Sequence, residues 1–375
     1  MKVKPKARTS RKGYALPRVL TCGSACSGLY AAGWAMRDIE HHTVFTAEQG
    51  PRLRDFIRDN HQCDRIFEDC GSKEFLEEAP YVDFFEMGFP CQPFSIAGRM
   101  RGQSDKRCVH NQLFRWVDNK RPRIVLIENV AALAKLKRFK PLFDSLLARL
   151  RRMKDQEGRP EYAVFWKVLN SIGWVPQQRK RVFIVAIKLM GRTSVPFAFP
   201  TPLKPHRRVQ LESIWDESPV LGSYENYPMP ANPQSGKYRH IQATLGKICA
   251  YGRLKQIDPT TVPVVIDTGG TRLAYTIGHT PCLTASRGGQ RAFWSLQRGR
   301  ELTMSEMCRL QGIPPEHLRA ASLSPGQFGH AIGNSFTVPV VRRLIQNALR
   351  AAQAAPEAAP APGSARSKKE TKVAT

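Results

Sequence analysis

Three short stretches carry residue types that could do chemistry together. The first is Pro90-Cys91-Gln92-Pro93-Phe94-Ser95, which follows the run Val82-Asp83-Phe84-Phe85-Glu86-Met87-Gly88. A Val- and Phe-rich run without helical spacing predicts a buried strand, and Gly88 ends it. Pro90 and Pro93 fix φ and remove two N–H donors, so the strand cannot pass through them. Cys91 is therefore expected at the tip of a rigid loop at the strand's carboxyl end, the edge where open α/β sheets bind ligands. A lone cysteine is most often a buried structural thiol; the proline bracket favours one presented to a ligand. The second stretch is Glu128-Asn129-Val130, delivered by the apolar run at 123–127. An acid there is poorly solvated, which raises its pKa toward what a proton donor near neutral pH requires. The third is Gln177-Gln178-Arg179-Lys180-Arg181. On extended chain Arg179 and Arg181 point to one face and Lys180 to the other, so both guanidiniums can enter one pocket.

The elements that must position these groups read as alternating strands and helices. A short strand over 18–22 leads into the small-residue turn Gly23-Ser24-Ala25-Cys26-Ser27-Gly28, and helical spacing follows over 29–36. Strand, small-residue turn and helix bring backbone N–H groups up to a ligand. Residues 43–47 are extended and end at Glu48, about 20 residues past the glycine turn, where a carboxylate commonly accepts hydrogen bonds from ribose hydroxyls. A helix is expected over 51–60, with Pro51 in its first turn. A third strand over 65–67 delivers Asp69. An amphipathic helix at 111–119 carries Leu113, Phe114 and Val117 on one side, a basic one covers 137–154, and strands at 162–169 and 182–187 close the pattern. Such an order predicts an α/β fold with a Rossmann-like, mostly parallel twisted sheet.

Charge says what the partner is. The chain has 58 Lys+Arg against 31 Asp+Glu, a net charge of +27 over 375 residues, which favours a polyanion. Basic residues lie inside the folded part as well as in the tails: Arg99, Arg101, Lys106 and Arg107 follow the cysteine loop, in a glycine-containing segment (96–108) that reads as a lid over phosphates. No apolar run approaches the roughly 18 residues of a membrane span, and the N-terminus lacks the apolar core of a signal peptide. The nine cysteines include no C-x-x-C pair, and the spacings of Cys22/Cys26 and Cys63/Cys70 do not match common zinc sites. A reducing compartment is expected, with no metal. The full G-x-G-x-x-G of a dinucleotide-binding dehydrogenase is also missing.

Organisation follows from composition. Residues 1–17 read as a basic disordered arm, 18–189 as the catalytic and cofactor-binding domain, and 190–298 as a second, loop-rich domain. In that insert helical periodicity fades, a short strand is expected over 261–267, and residues 285–291, with Arg287 and Gly288, read as a flexible basic stretch. Helical spacing returns over 300–311, where Thr303 reads as an N-cap with Glu306 three residues on. A turn at 328–335 precedes a closing helix at 338–352. Residues 353–375 are Ala/Pro-rich and then basic, the signature of a disordered tail.

PCQPFS resembles the catalytic loop of the cytosine-C5 DNA methyltransferases. The other motifs of that family follow in order: the small-residue turn from Gly23, Glu128-Asn129-Val130, the QQRKR segment, Arg300-Glu301-Leu302-Thr303, and Gly333-Asn334-Ser335. The resemblance spans about residues 18–350. It implies an S-adenosylmethionine-dependent methyltransferase fold, with the insert at 190–298 as target-recognition domain and 299–352 returning to the catalytic domain. It implies that Cys91 attacks C6 of a flipped-out cytosine as a thiolate, that Glu128 donates a proton or hydrogen bond to N3, and that Arg179 and Arg181 orient Glu128 and contact the base. The cofactor pocket would then be lined by Gly23, Ser24, Ala25, Cys26, Gly28, Glu48, Asp69, Pro90, Leu113, Asn334 and Ser335. Gln92, Ser95, Arg99, Arg101, Arg107, Asn129, Arg287 and Gly288 would meet double-stranded DNA. The first loop departs from the family pattern, with Gly23 where an aromatic is usual and Gly28 alone of the terminal glycine pair. Cytosine-C5 tRNA methyltransferases share this chemistry, but carry a Cys-Phe-Thr triplet that the insert lacks. A monomer is expected, working inside the cell with DNA: in the nucleus of a eukaryote, otherwise in cytoplasm or nucleoid.

Overall fold

The computed structural model describes residues 16–90, 109–217, 229–256, 258 and 262–354. Cys91, Gln92, Ser95, Arg99, Arg101 and Arg107, together with most of both tails, lie outside the described residues. The first half alternates as its periodicity dictates: β1 (Leu20–Ala25), α1 (Ala31–Ala35), β2 (His41–Ala47), α2 (Pro51–Asn60), β3 (Arg65–Phe67), α3 (Lys73–Glu78), β4 (Phe84–Met87), α4 (His110–Lys120), β5 (Ile124–Val130), α5 (Ala131–Lys135), α6 (Lys140–Arg152), β6 (Tyr162–Asn170) and β7 (Lys180–Lys188). Helix α2 begins at Pro51, whose missing N–H is no loss in a first turn. The basic segment at 137–154 divides into a short 3-10 turn and α6.

The strands form one seven-stranded sheet in the order β3-β2-β1-β4-β5-β7-β6. All pairs from β3 to β5 are parallel, while β7 lies antiparallel between β5 and β6. Successive strand residues leave by opposite faces. Phe84, Ile124, Leu126 and Val185 pack with helices on one side; Phe85, Val125, Ile127 and Ile184 pack on the other with Trp116 and Leu146. A sheet covered on both faces explains the near-continuous apolar strands.

The insert contains more regular structure than its composition suggests. Helix α7 (Gly236–Lys255) packs on a four-stranded sheet, ordered β11-β10-β8-β9, made of β8 (Val264–Asp267), β9 (Ala274–Ile277), β10 (Phe293–Ser295) and, just past the expected end of the insert, β11 (Arg300–Glu301). Its core joins Ile241 and Ile248 to Val264, Ile266, Trp294 and Leu296. Helix α7 has no legible periodicity because its buried stripe is only Ile241, Thr244, Ile248 and Gly252, too weak an apolar repeat to mark a helix. The segment read as flexible is also ordered: α8 (Ala285–Gly289). So is the expected turn at 328–335, most of which belongs to α10 (Pro325–Asn334). These two helices touch through their glycines, since a Cβ on Gly288 would stand 1.9 Å from the Gly329 carbonyl oxygen. Helix α9 (Met304–Gln311) starts with the expected capping box of Thr303 and Glu306. Helix α11 (Val338–Gln353) then lays Val341, Leu344, Ile345 and Ala348 on the large sheet.

Candidate active site

The carboxyl ends of β1, β2, β4 and β5 open into a cavity of about 420 Å³, within the size range of cofactor pockets. Cys26, Gly28, Glu48, Pro90, Asn334 and Ser335, all expected around a cofactor, line it. Glu128, Arg179 and Arg181 line it too, so the acid and the guanidinium pair share one space.

Glu48 directly follows β2, with both carboxylate oxygens in use: the Gly28 N–H donates to one at 2.8 Å and the Gly50 N–H to the other at 2.9 Å. Each oxygen keeps a second lone pair, which is what a diol of a nucleoside requires.

Glu128 stands at the end of β5, 8% exposed. Strand register decides its partner. Val130 faces Arg181 across the antiparallel β5–β7 pair, and Glu128, two residues back, shares that face. The Arg181 Nε accordingly lies 3.0 Å from Glu128 Oε1. Burial pushes the Glu128 carboxyl above the ordinary range, and the charges of Arg181 and then Arg179 pull the other way; the net direction is upward. Arg179, 2% exposed, is clamped by carbonyls: Nη1 donates to Leu283 at 2.7 Å and to Gly333 at 3.1 Å, and Nη2 to Ser335 at 2.7 Å. One buried arginine thus ties β7, the α8 approach and the end of α10 together. Lys180, between the two, is exposed as expected.

Asn129 reaches back from β5, its Nδ2 donating to the Phe89 carbonyl at 3.1 Å. The chain before Cys91 is therefore tethered beside Glu128, and Pro90 borders the same cavity.

Other expected residues fall elsewhere. Gly23, Ser24 and Ala25 belong to β1 rather than to a turn, and none is among the cavity-lining residues. Gly23 is required by packing, because a Cβ there would lie 2.4 Å from the Phe45 ring. Ser24 Oγ bonds Glu86 Oε1 at 2.5 Å and Ser27 Oγ at 2.7 Å. Leu113 is buried in the core of the large domain, away from the cavity wall. Asp69 accepts from the Gly71 N–H at 2.8 Å, and its neighbour Cys70 takes the lining position. Arg287 is committed to Asp267 at 2.8 Å and to the Gly269 carbonyl at 2.7 Å, while Gly288 is buried against Gly329.

The site also has contributors beyond the expected residues. Gln177 is fully buried; its Oε1 accepts from the Leu283 N–H at 2.9 Å, steadying the carbonyl that receives Arg179. Its place at the head of QQRKR was the available signal. Cys282 Sγ lies 3.7 Å from both Arg179 Nη1 and Arg181 Nη2. Burial opposes its ionisation, but the two guanidiniums outweigh burial and draw the thiol below its usual pKa. Phe89, Leu53 and Phe336 supply apolar wall. Among the described residues no group of three or more His, Cys, Asp or Glu is arranged to hold a metal, and no helix is long and apolar enough to cross a membrane.

A mostly parallel seven-stranded sheet, with this cavity at the carboxyl ends of its central strands, defines an α/β protein with its ligand crevice at the edge where such sheets bind. The chain belongs to the C-5 cytosine-specific DNA methylase family, the DNA (cytosine-5-)-methyltransferases, whose family model matches residues 20–350. It is 30% identical over 267 residues to the type II methyltransferase M.NgoBI of Neisseria gonorrhoeae, covering 70% of this chain and 73% of that one. To the type II methyltransferase M.HaeII of Haemophilus aegyptius it is 28% identical over 272 residues, covering 71% and 74%. Among solved structures, Entamoeba histolytica EhMeth superposes with a TM-score of 0.57 at 14% identity, and S. pombe Dnmt2 with 0.51 at 18%. Each match covers 88% of this chain and 98% of the other. At such identities these structures speak for the fold.

Proposed function

We propose that this protein methylates C5 of a flipped-out cytosine in double-stranded DNA, using S-adenosylmethionine, through a covalent adduct between Cys91 and C6. The observation that carries this reading is the shared cavity: Pro90, the residue before Cys91, and Glu128, held 3.0 Å from Arg181, border one space at the ends of adjacent parallel strands.

The cavity suits the cofactor. Glu48 offers spare lone pairs to ribose hydroxyls, Leu53 and Phe89 offer apolar surface to a purine, and Asn334 and Ser335 close the wall from the C-terminal side. When bound, S-adenosylmethionine supplies an electrophilic methyl group. Cytosine C5 is a poor nucleophile until something adds at C6. Cys91 adds there as a thiolate, and Glu128, whose pKa burial raises above the ordinary carboxylate range, gives a proton or hydrogen bond to N3 as charge develops on the ring. Arg181 fixes the Glu128 carboxyl, and Arg179 braces the carbonyls behind it. After methylation a base removes the C5 proton, and Cys91 leaves as the ring double bond reforms. The target starts inside a duplex, so opening it costs a few kcal/mol. The basic segment at 96–108 and the smaller sheet with α7 are suited to hold the opened DNA. The protein would work wherever the cell keeps its DNA.

A duplex carrying 5-fluorocytosine at the target should trap a protein–DNA adduct in the presence of S-adenosylmethionine, because fluorine cannot leave as a proton does. Cys91→Ala should abolish both adduct and methyl transfer while DNA binding persists. Wild type that binds duplex and cofactor yet forms no adduct would defeat the covalent route. Label passing from methyl donor to tRNA alone would overturn the substrate.

A further inference from the structure

Cys26 and Cys70 follow strands that are not neighbours. Cys26 follows the last residue of β1, Cys70 lies three residues past β3, and β2 runs between. Their Sγ atoms nevertheless stand 3.7 Å apart, across 44 residues of chain. Both thiols are free, and both line the cavity that contains Glu48 and Glu128. The methylation chemistry uses neither.

We propose that Cys26 and Cys70 are an oxidisable dithiol in the cavity wall, and that the disulfide they close excludes S-adenosylmethionine, the cavity being the cofactor site proposed above. The oxidant class is a hydroperoxide. One thiolate attacks a peroxide oxygen, forming a sulfenic acid and releasing water or alcohol; the second thiol attacks that sulfur and displaces water. Two thiols lose two electrons and two protons, the O–O bond breaks, and one S–S bond forms. With hydrogen peroxide the by-product is two waters.

The geometry links this step to binding. An S–S bond of about 2.05 Å would draw the sulfurs together by roughly 1.7 Å. Cys26 sits at φ 55, at the start of the turn that leaves β1. The next two residues hold the neighbouring acid in place: the Ser27 N–H donates to the Ala47 carbonyl at 3.1 Å, and the Gly28 N–H to Glu48 at 2.8 Å. Pulling Cys26 toward Cys70 therefore disturbs the cavity wall and the Glu48 carboxylate together. The hydrogen bond with Cys70, burial, and the charges of Cys70, Glu48 and Glu86 hold the Cys26 thiol well above its usual pKa. Attack by the Cys26 thiolate is consequently slow at neutral pH and faster in mild alkali.

The test uses the full-length protein, reduced and then exposed to hydrogen peroxide at pH 8.5, with and without S-adenosylhomocysteine. After free thiols are blocked, peptide mass spectrometry should find the Cys26 and Cys70 peptides linked, at 2 Da below their summed mass. Bound S-adenosylhomocysteine should slow the linkage at least five-fold. By calorimetry, the oxidised protein should bind S-adenosylhomocysteine at least ten-fold more weakly, recovering with dithiothreitol, and Cys70→Ser should show neither linkage nor reversible loss. Oxidation of other thiols without this link, or linked protein that binds as tightly as reduced, would overturn the proposal. Reduced protein that binds no S-adenosylhomocysteine would instead remove the cofactor reading, and the linked peptide would then decide the dithiol by itself.

Discussion

Replacing Glu86 by Gln should change how stability depends on pH, by an amount the structure lets one work out. Glu86 lies mid-sheet on β4, opposite Ser24 of β1 and Leu126 of β5, and is 2% exposed. Burial raises its carboxyl from 4.5 to about 8; the hydrogen bond with Ser24 lowers it, and the charge of Glu128 raises it. The other titratable groups that feel it are Cys22, Cys26 and Tyr30. A carboxyl whose folded pKa exceeds its unfolded value is neutral in both states in acid. Between the two values the unfolded chain ionises while the fold keeps its proton, so stability falls by about 1.4 kcal/mol per pH unit. The accumulated loss is about 1 kcal/mol at pH 5 and about 4 kcal/mol at pH 8. Gln has the same shape, never ionises, and can still bond Ser24. The stability of Glu86→Gln relative to wild type should therefore rise by roughly 3 kcal/mol from pH 5 to pH 8, whatever the constant offset between them. Urea unfolding of both proteins at unit pH steps reads this directly. A difference that stays flat within about 1 kcal/mol would mean that Glu86 is already ionised in the fold.

Arg181→Ala strands the Glu128 carboxyl, and removing one partner of a buried pair costs about 3–5 kcal/mol; unfolding should show that loss, and single-turnover methyl transfer should fall at least a hundred-fold. Gly288→Ala drives a Cβ against the Gly329 carbonyl and should lose about 1–3 kcal/mol, with weaker S-adenosylhomocysteine binding in calorimetry because α10 ends in Asn334 and is followed by Ser335. Gly246→Ala, inside α7 with no atom within 4 Å of the new Cβ, should instead raise stability by about 0.5–1 kcal/mol. Thr303→Ala removes the capping box of α9 and should cost about 1 kcal/mol in the same unfolding assay.

Local features of the chain were legible wherever one segment contains its own cause. Pro51 opens a helix with the expected bounds, Thr303 and Glu306 cap one, and Glu48 follows a strand beside the glycine turn because two periods and a breaker suffice to say so. What lacked a local cause was misread. Gly23 to Ala25 look like a turn by composition, yet pair with β2 and β4, and the Phe45 ring of β2 fills the space that Gly23 leaves. Helices α8 and α10 look like loops, yet hold each other through facing glycines.

The sequence by itself therefore determined the alternation of strands and helices, the basic character, and which acid and arginines were candidates. Only the tertiary structure decided that Arg181 rather than Arg179 takes Glu128, and that Cys26 meets Cys70. Both depend on strand order and register, and these are set by apolar faces and close packing between segments far apart in the chain, which no local run of residues records.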